Sequence, residues 1–174
     1  MRRLDNKKIA ATFVITSLAL TLSSCAGAGP NASTRLIKQV TDGAEAKIKT
    51  EGNDIFAANM LLVATDEGSA VVVGTIVNYV ETPDTLLGIS AGGVEANITG
   101  EKELRQNQPL RFEGNVATSK AVFSGVGAKP GNNITMTLAF ARAGVVSFNT
   151  IIRDQRDVYA GITTGAKLNT EPVE

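Results

Sequence analysis

From Ile55 to Ile152 the sequence repeats one pattern: a short run of apolar, often β-branched residues, then a cluster of glycine, proline or acidic residues. The runs read as strands over Ile55–Val63, Ala70–Tyr79, Thr85–Ser90, Val94–Ile98, Pro109–Glu113, Ala121–Phe123, Ile134–Phe140 and Val145–Ile152. Asp66-Glu67-Gly68-Ser69, Glu81-Thr82-Pro83-Asp84, Ala91-Gly92-Gly93, residues 125–131 and Ala143-Gly144 separate them as turns. The period is cleanest over Ile134–Phe140, where Ile134, Met136, Leu138 and Phe140 alternate with threonine and alanine. Alternate side chains on a strand point to opposite faces, so these four should share one buried face. No useful stretch of this region keeps a helical period. Short strands at roughly 8–12-residue spacing specify an all-β sandwich or barrel. Ahead of them, residues 34–49 carry scattered apolar residues interrupted by Gly43, which suits an irregular lead-in or an edge strand. After Arg153 the pattern is lost, and residues 154–174 read as a polar C-terminal surface tail.

The first 25 residues obey a different logic. Arg2, Arg3, Lys7 and Lys8 form a basic start, and residues 9–22 are apolar or small. That run falls short of the ~20 apolar residues that span a bilayer. Leu22-Ser23-Ser24-Cys25 ends it, with short side chains before the chain's single cysteine. A basic start, a short apolar centre and a small-residue cleavage site make a signal peptide. The cysteine marks it as a lipobox, Leu22, Ser23 and Ser24 being the recognition residues and Cys25 the lipidation site; the competing reading is a signal anchor with an incidental cysteine. Cys25 would then carry a diacylglyceryl group, with or without an added N-acyl chain, and no other cofactor is expected. Two or more chains give stable anchoring where one is marginal. The expected organisation is a signal peptide at 1–24, a lipidated tether at 25–34, a β-sandwich domain at 35–153 and the tail. The expected location is the extracytoplasmic side of the cell membrane.

Composition removes several function classes. The chain has 17 basic and 17 acidic residues; four basic and one acidic belong to the signal, leaving 13 and 16. A mature net charge of −3 offers no basic footprint for nucleic acid. Histidine is absent, and with it the commonest general base and metal ligand. A serine–lysine pair at Ser119-Lys120 fails because neighbours on a strand face opposite ways. Gly125-Val126-Gly127 lacks the third glycine and the strand-to-helix setting of a nucleotide loop. Asp66, Glu67, Glu81 and Asp84 could approach a calcium ion, but they sit in turns, where Asp84 suits bonding to nearby backbone amides. Met60 and Met136 are thioethers of the kind Cu(I) prefers, yet both lie inside strand patterns where methionine fills core gaps. No catalytic residue and no metal ligand is expected.

Two segments carry a family resemblance. Asn78-Tyr79-Val80-Glu81-Thr82-Pro83-Asp84-Thr85-Leu86-Leu87-Gly88-Ile89-Ser90 resembles the "N…pDrLvgv" segment of the PCuAC-type periplasmic copper chaperone family. Pro130-Gly131, followed by Thr135-Met136-Thr137-Leu138-Ala139-Phe140-Ala141-Arg142-Ala143-Gly144, resembles that family's "pG…vtLtFekaG" ending. The resemblance covers roughly Ile48 to Ile152 and implies a cupredoxin-like, immunoglobulin-like β-sandwich. It also implies a Cu(I) site of two histidines and two methionines, one pair in an H-x-M motif. Here that motif falls on Lys120-Ala121-Val122, and the earlier histidine on Asn97, so the family's site cannot be built. With its lipobox the chain looks more like the LpqE-like actinobacterial lipoprotein branch. That branch implies a non-enzymatic accessory subunit of the cytochrome bc–cytochrome oxidase respiratory supercomplex. Copper delivery with altered ligands, or binding of a cell-envelope ligand, are the rival expectations. Partner contacts are expected on loops of the rigid sandwich, at Glu81, Thr82, Pro83 and Asp84 and at Lys129 and Pro130.

Overall fold

The computed structural model describes residues 42–65 and 68–165. Eleven strands fill it: β1 Ala44–Thr50, β2 Asn53–Ala64, β3 Ala70–Asn78, β4 Asp84–Ala91, β5 Val94–Glu95, β6 Asn97–Gly100, β7 Glu103–Leu104, β8 Leu110–Phe112, β9 Ser119–Phe123, β10 Asn133–Phe140 and β11 Gly144–Arg153. One hydrogen-bonded path runs β5-β4-β10-β11-β2-β3-β8-β9-β6, with β1 added on β2 and β7 on β4. The path folds into a sandwich because β11 changes partner along its length. Its residues 144–151 pair antiparallel with β10, and Ile152 and Arg153 then pair in parallel with Leu62 and Val63 of β2. The all-β sandwich expected from the sequence is the fold observed.

The two inner faces meet in one apolar core. Met60, Leu62, Val72, Ile76, Phe112 and Phe123 from one sheet pack with Leu86, Ile89, Met136, Leu138 and Phe140 from the other. The alternation over β10 predicts this: Met136, Leu138 and Phe140 are buried, while Asn133 and Thr135 are exposed. A bulge in β2 between Ala58 and Leu61 shifts the register against β3, with Asn59 at φ 52. Gly74 lies opposite at φ 148, where a Cβ would stand 2.5 Å from the Met60 sulfur and 3.1 Å from the Asn59 carbonyl oxygen and the Met60 Cα, so the backbone conformation and the tight fit both favour glycine there. The Thr150 hydroxyl donates to the Met60 carbonyl at 2.5 Å and ties β11 to the bulge.

The lead-in forms the edge strand that was one of its two expected readings: β1 pairs along β2 from Thr50↔Asn53 to Ala44↔Met60. Three other parts differ from the sequence pattern. The single strand expected over Val94–Ile98 is two, because the chain leaves one sheet for the other at Ala96. Val94 and Glu95 pair with β4, whereas Asn97 onward pairs with β9. The two-residue β7 was not expected at all, since a single buried Leu104 makes no periodic signal. The stretch after Arg153 does not lie wholly on the surface either. A short 3-10 turn, Asp157–Tyr159, leads to Ile162, which is buried against Leu61, Val63 and Val71 on the outer face of the β2–β3 sheet. That second small core explains why Leu61–Val63 and Val71–Val72 are buried on both faces.

Candidate functional site

The loop residues singled out from sequence do not form one surface. Glu81, Thr82 and Pro83 are exposed at the end of β3, where the Asn78 amide donates to the Thr82 carbonyl at 2.9 Å. Lys129 and Pro130 are exposed near the start of β3, in a loop held by Gly127 N–H donating to the Gly68 carbonyl at 3.0 Å. Those two ends are separated by the length of a nine-residue strand, roughly 26 Å. Asp84 is a correction to the contact set, because it is 3% exposed and both carboxylate oxygens are engaged. Oδ1 accepts from Thr85 N–H at 2.7 Å and Arg142 N–H at 2.9 Å, and Oδ2 from Ala143 N–H at 2.9 Å. The Arg142 guanidinium adds bonds to the carbonyls of Gly52, Thr82 and Pro83. This corner is a structural clasp between β4 and the β10–β11 turn. Among the described residues no three acidic, histidine or cysteine side chains converge; Asp66 and Glu67, like Leu22, Ser23, Ser24 and Cys25, lie outside them.

The positions where the family resemblance puts copper ligands do come together. On β9 the inner face carries Ala121 and Phe123, in the main core, so Lys120 and Val122 point outward. Asn97 on β6 pairs directly with Val122, and Thr99 with Lys120. Directly opposed residues in an antiparallel pair share a face. Asn97, Lys120 and Val122 thus occupy one outer surface. Ser119 faces the other way and donates its hydroxyl to the Glu101 carbonyl at 2.6 Å, which leaves no serine–lysine dyad.

The chemistry of that surface does not suit Cu(I). The Lys120 ammonium has no lone pair, and it sits 2.8 Å from Glu113 Oε1 with side-chain exposures of 4% and 16%. Val122 offers no donor atom and Asn97 a hard amide. Soft thioethers are what Cu(I) selects, but Met60 and Met136 are both fully buried in the inner core. They lie on the far side of the sheet from Lys120.

Beside the ion pair is a cavity of about 450 Å³, lined by Val73, Glu113, Lys120, Val158, Tyr159 and Ile162 among others. Its far wall is the stretch that follows Arg153. Burial pushes the Tyr159 phenol above its ordinary pKa, the Asp42 carboxylate adds to that, and the Arg153 guanidinium opposes it. Arg153 itself pairs with Asp42 at 2.8 Å. Sequence reasoning reached Lys120 as a departure from a motif and as half of a rejected serine–lysine pair. It missed Glu113 and the returning segment, because Tyr159 and Ile162 are isolated apolar residues in a polar stretch.

No protein-family model matches the chain, and no curated protein matches it. Solved structures do. A copper-bound PCuAC domain from PmoF2 superposes with a TM-score of 0.53 at 21% identity, covering 64% of this chain and 98% of that one. An apo PCuAC domain from PmoF1 gives 0.52 at 22% identity, covering 64% and 99%. At that identity the likeness is one of fold.

Proposed function

We propose that this chain is a lipid-anchored, non-enzymatic accessory protein, held through Cys25 on the extracytoplasmic side of the cell membrane and docked on a membrane protein complex. The observation that carries the reading is the Lys120–Glu113 pair, on the same surface as Asn97 and Val122. The chain keeps a PCuAC-like sandwich, but the positions matched to copper ligands hold an ion pair, an amide and an isopropyl group. A scaffold without those donors, tied to a bilayer by a short lipidated tether, is suited to presenting a surface. Anchoring raises the effective concentration of even a weakly docking face. The LpqE-like resemblance supplies the candidate complex, the cytochrome bc–cytochrome oxidase supercomplex. The likeness to a copper-bound domain favours one second reading, copper delivery through altered ligands.

The test is to solubilise membranes in mild detergent and pull on a tagged cytochrome subunit. The lipidated chain is expected to co-purify. Its absence from the complex, with the chain present in total membranes, would remove the supercomplex and leave binding to a cell-envelope ligand ahead.

A further inference from the structure

We infer that the cavity beside Lys120 is a peptide-binding pocket, taking an amide group flanked by an aliphatic side chain from the extracytoplasmic part of a membrane protein. This rests on the docking reading above and says where the contact is made. The cavity, at about 450 Å³, has the volume of a small-ligand site. Its floor is the nearly buried Lys120–Glu113 ion pair, and both residues line the cavity. An ammonium has three donors, and Glu113 Oε1 takes one of them. A buried pair offsets its desolvation only when the remaining donors and lone pairs are also met. The occupant therefore needs an acceptor for Lys120 and a donor for Glu113, side by side.

Charge narrows the choice. The pair is already neutral, so an anion would meet Glu113 and a cation would meet Lys120. A neutral amide presents C=O and N–H together with no net charge. The apolar part of the lining suits an aliphatic neighbour, with Val73 and Ile162 in the wall and Val158 85% exposed at the rim, while Asn115 and Thr163 add polar groups beside it. A sugar amide would instead favour aromatic platforms, and Tyr159 is the single aromatic side chain in the lining. Glu113 also holds a left-handed backbone, φ 68, a strain that packed proteins tend to keep at binding sites.

The test places a photoreactive benzoylphenylalanine at Val158 in the full-length, lipidated chain and illuminates intact membranes. A matched chain carries it at Leu87, which is 61% exposed on β4 of the opposite sheet. The expected result is an adduct from Val158, and not from Leu87, mapping by mass spectrometry to one extracytoplasmic peptide of a membrane protein. Its yield should fall at least tenfold in the charge-balanced double variant Lys120→Met/Glu113→Gln, with the thermal midpoint checking the fold. Thr163→Glu, at an exposed lining position, should lower the yield without touching the interior. Adducts on lipid or glycan, equal labelling from Leu87, or no adduct in membranes where the chain still co-purifies with its complex would each overturn the pocket. The last outcome would leave the docking reading standing, whereas failure to co-purify would remove that reading itself.

Discussion

Asp84 binds three backbone amides with two carboxylate oxygens, and two of those amides lie 58 and 59 residues further along the chain. Charged hydrogen bonds of this kind contribute about 1.5–3 kcal/mol each, and a buried amide left without an acceptor costs about 1–3 kcal/mol. Asp84→Ala should therefore lower the unfolding free energy by about 3 kcal/mol in urea titration; a loss under ~1 kcal/mol would mean that water replaces the carboxylate. The Pro83-Asp84 turn made an amide-bonding role for Asp84 legible. Its partners were not, because only the pairing of β4 with β10 brings Arg142 and Ala143 there. Tyr159 allows a second check at this scale. Its folded-state pKa is raised, chiefly by burial, so the fold favours the neutral phenol. That contribution is whole below the unfolded value near ~10 and is lost as pH climbs through the folded value. The chain has two tyrosines, so in a Tyr79→Phe variant the tyrosinate absorbance should titrate above the ordinary range. Titration at or below it would place Tyr159 in open solvent.

Among the elements, β10 was the most legible. A period of two over Ile134–Phe140 needs no tertiary knowledge, and its Met136, Leu138 and Phe140 indeed fill the core. Phe140→Ala should cost ~3–5 kcal/mol in urea unfolding, as buried aromatic truncations do; a cost below ~1 kcal/mol would mean a slipped register. Residues 94–98 were illegible for a physical reason. A strand that changes sheets at Ala96 keeps its apolar content and loses only its partner, and periodicity does not record partners. The segment beyond Arg153 was hidden too, since one buried isoleucine makes no pattern. Its role is measurable. Truncation after Arg153 removes Ile162 and uncovers part of Leu61, Val63 and Val71, and should cost about 1.5–3 kcal/mol, the burial of one such side chain. An unchanged denaturation midpoint would show that the second core contributes nothing.

At the scale of the whole molecule, the proposed function divides the work: a lipidated N-terminus would fix location, and the sandwich would present a surface. Cys25→Ala should leave unprocessed, unlipidated precursor, seen as slower migration and loss of acyl label; normal maturation on membranes without lipid would refute the lipobox. The class of fold was visible in the strand spacing. The site was visible only as a loss, a lysine where a family motif has histidine, because the replacement's partner, Glu113, comes from another strand region. The central claim is that a PCuAC-like fold here works through its surface and not through a metal. Titration of the purified chain with Cu(I) against a strong competing chelator tests it most directly. The expected result is no retained copper, since Met60 and Met136 are enclosed in the core and Lys120 is committed to Glu113. One Cu(I) held per chain, and released in a Met60→Leu/Met136→Leu double variant, would contradict it.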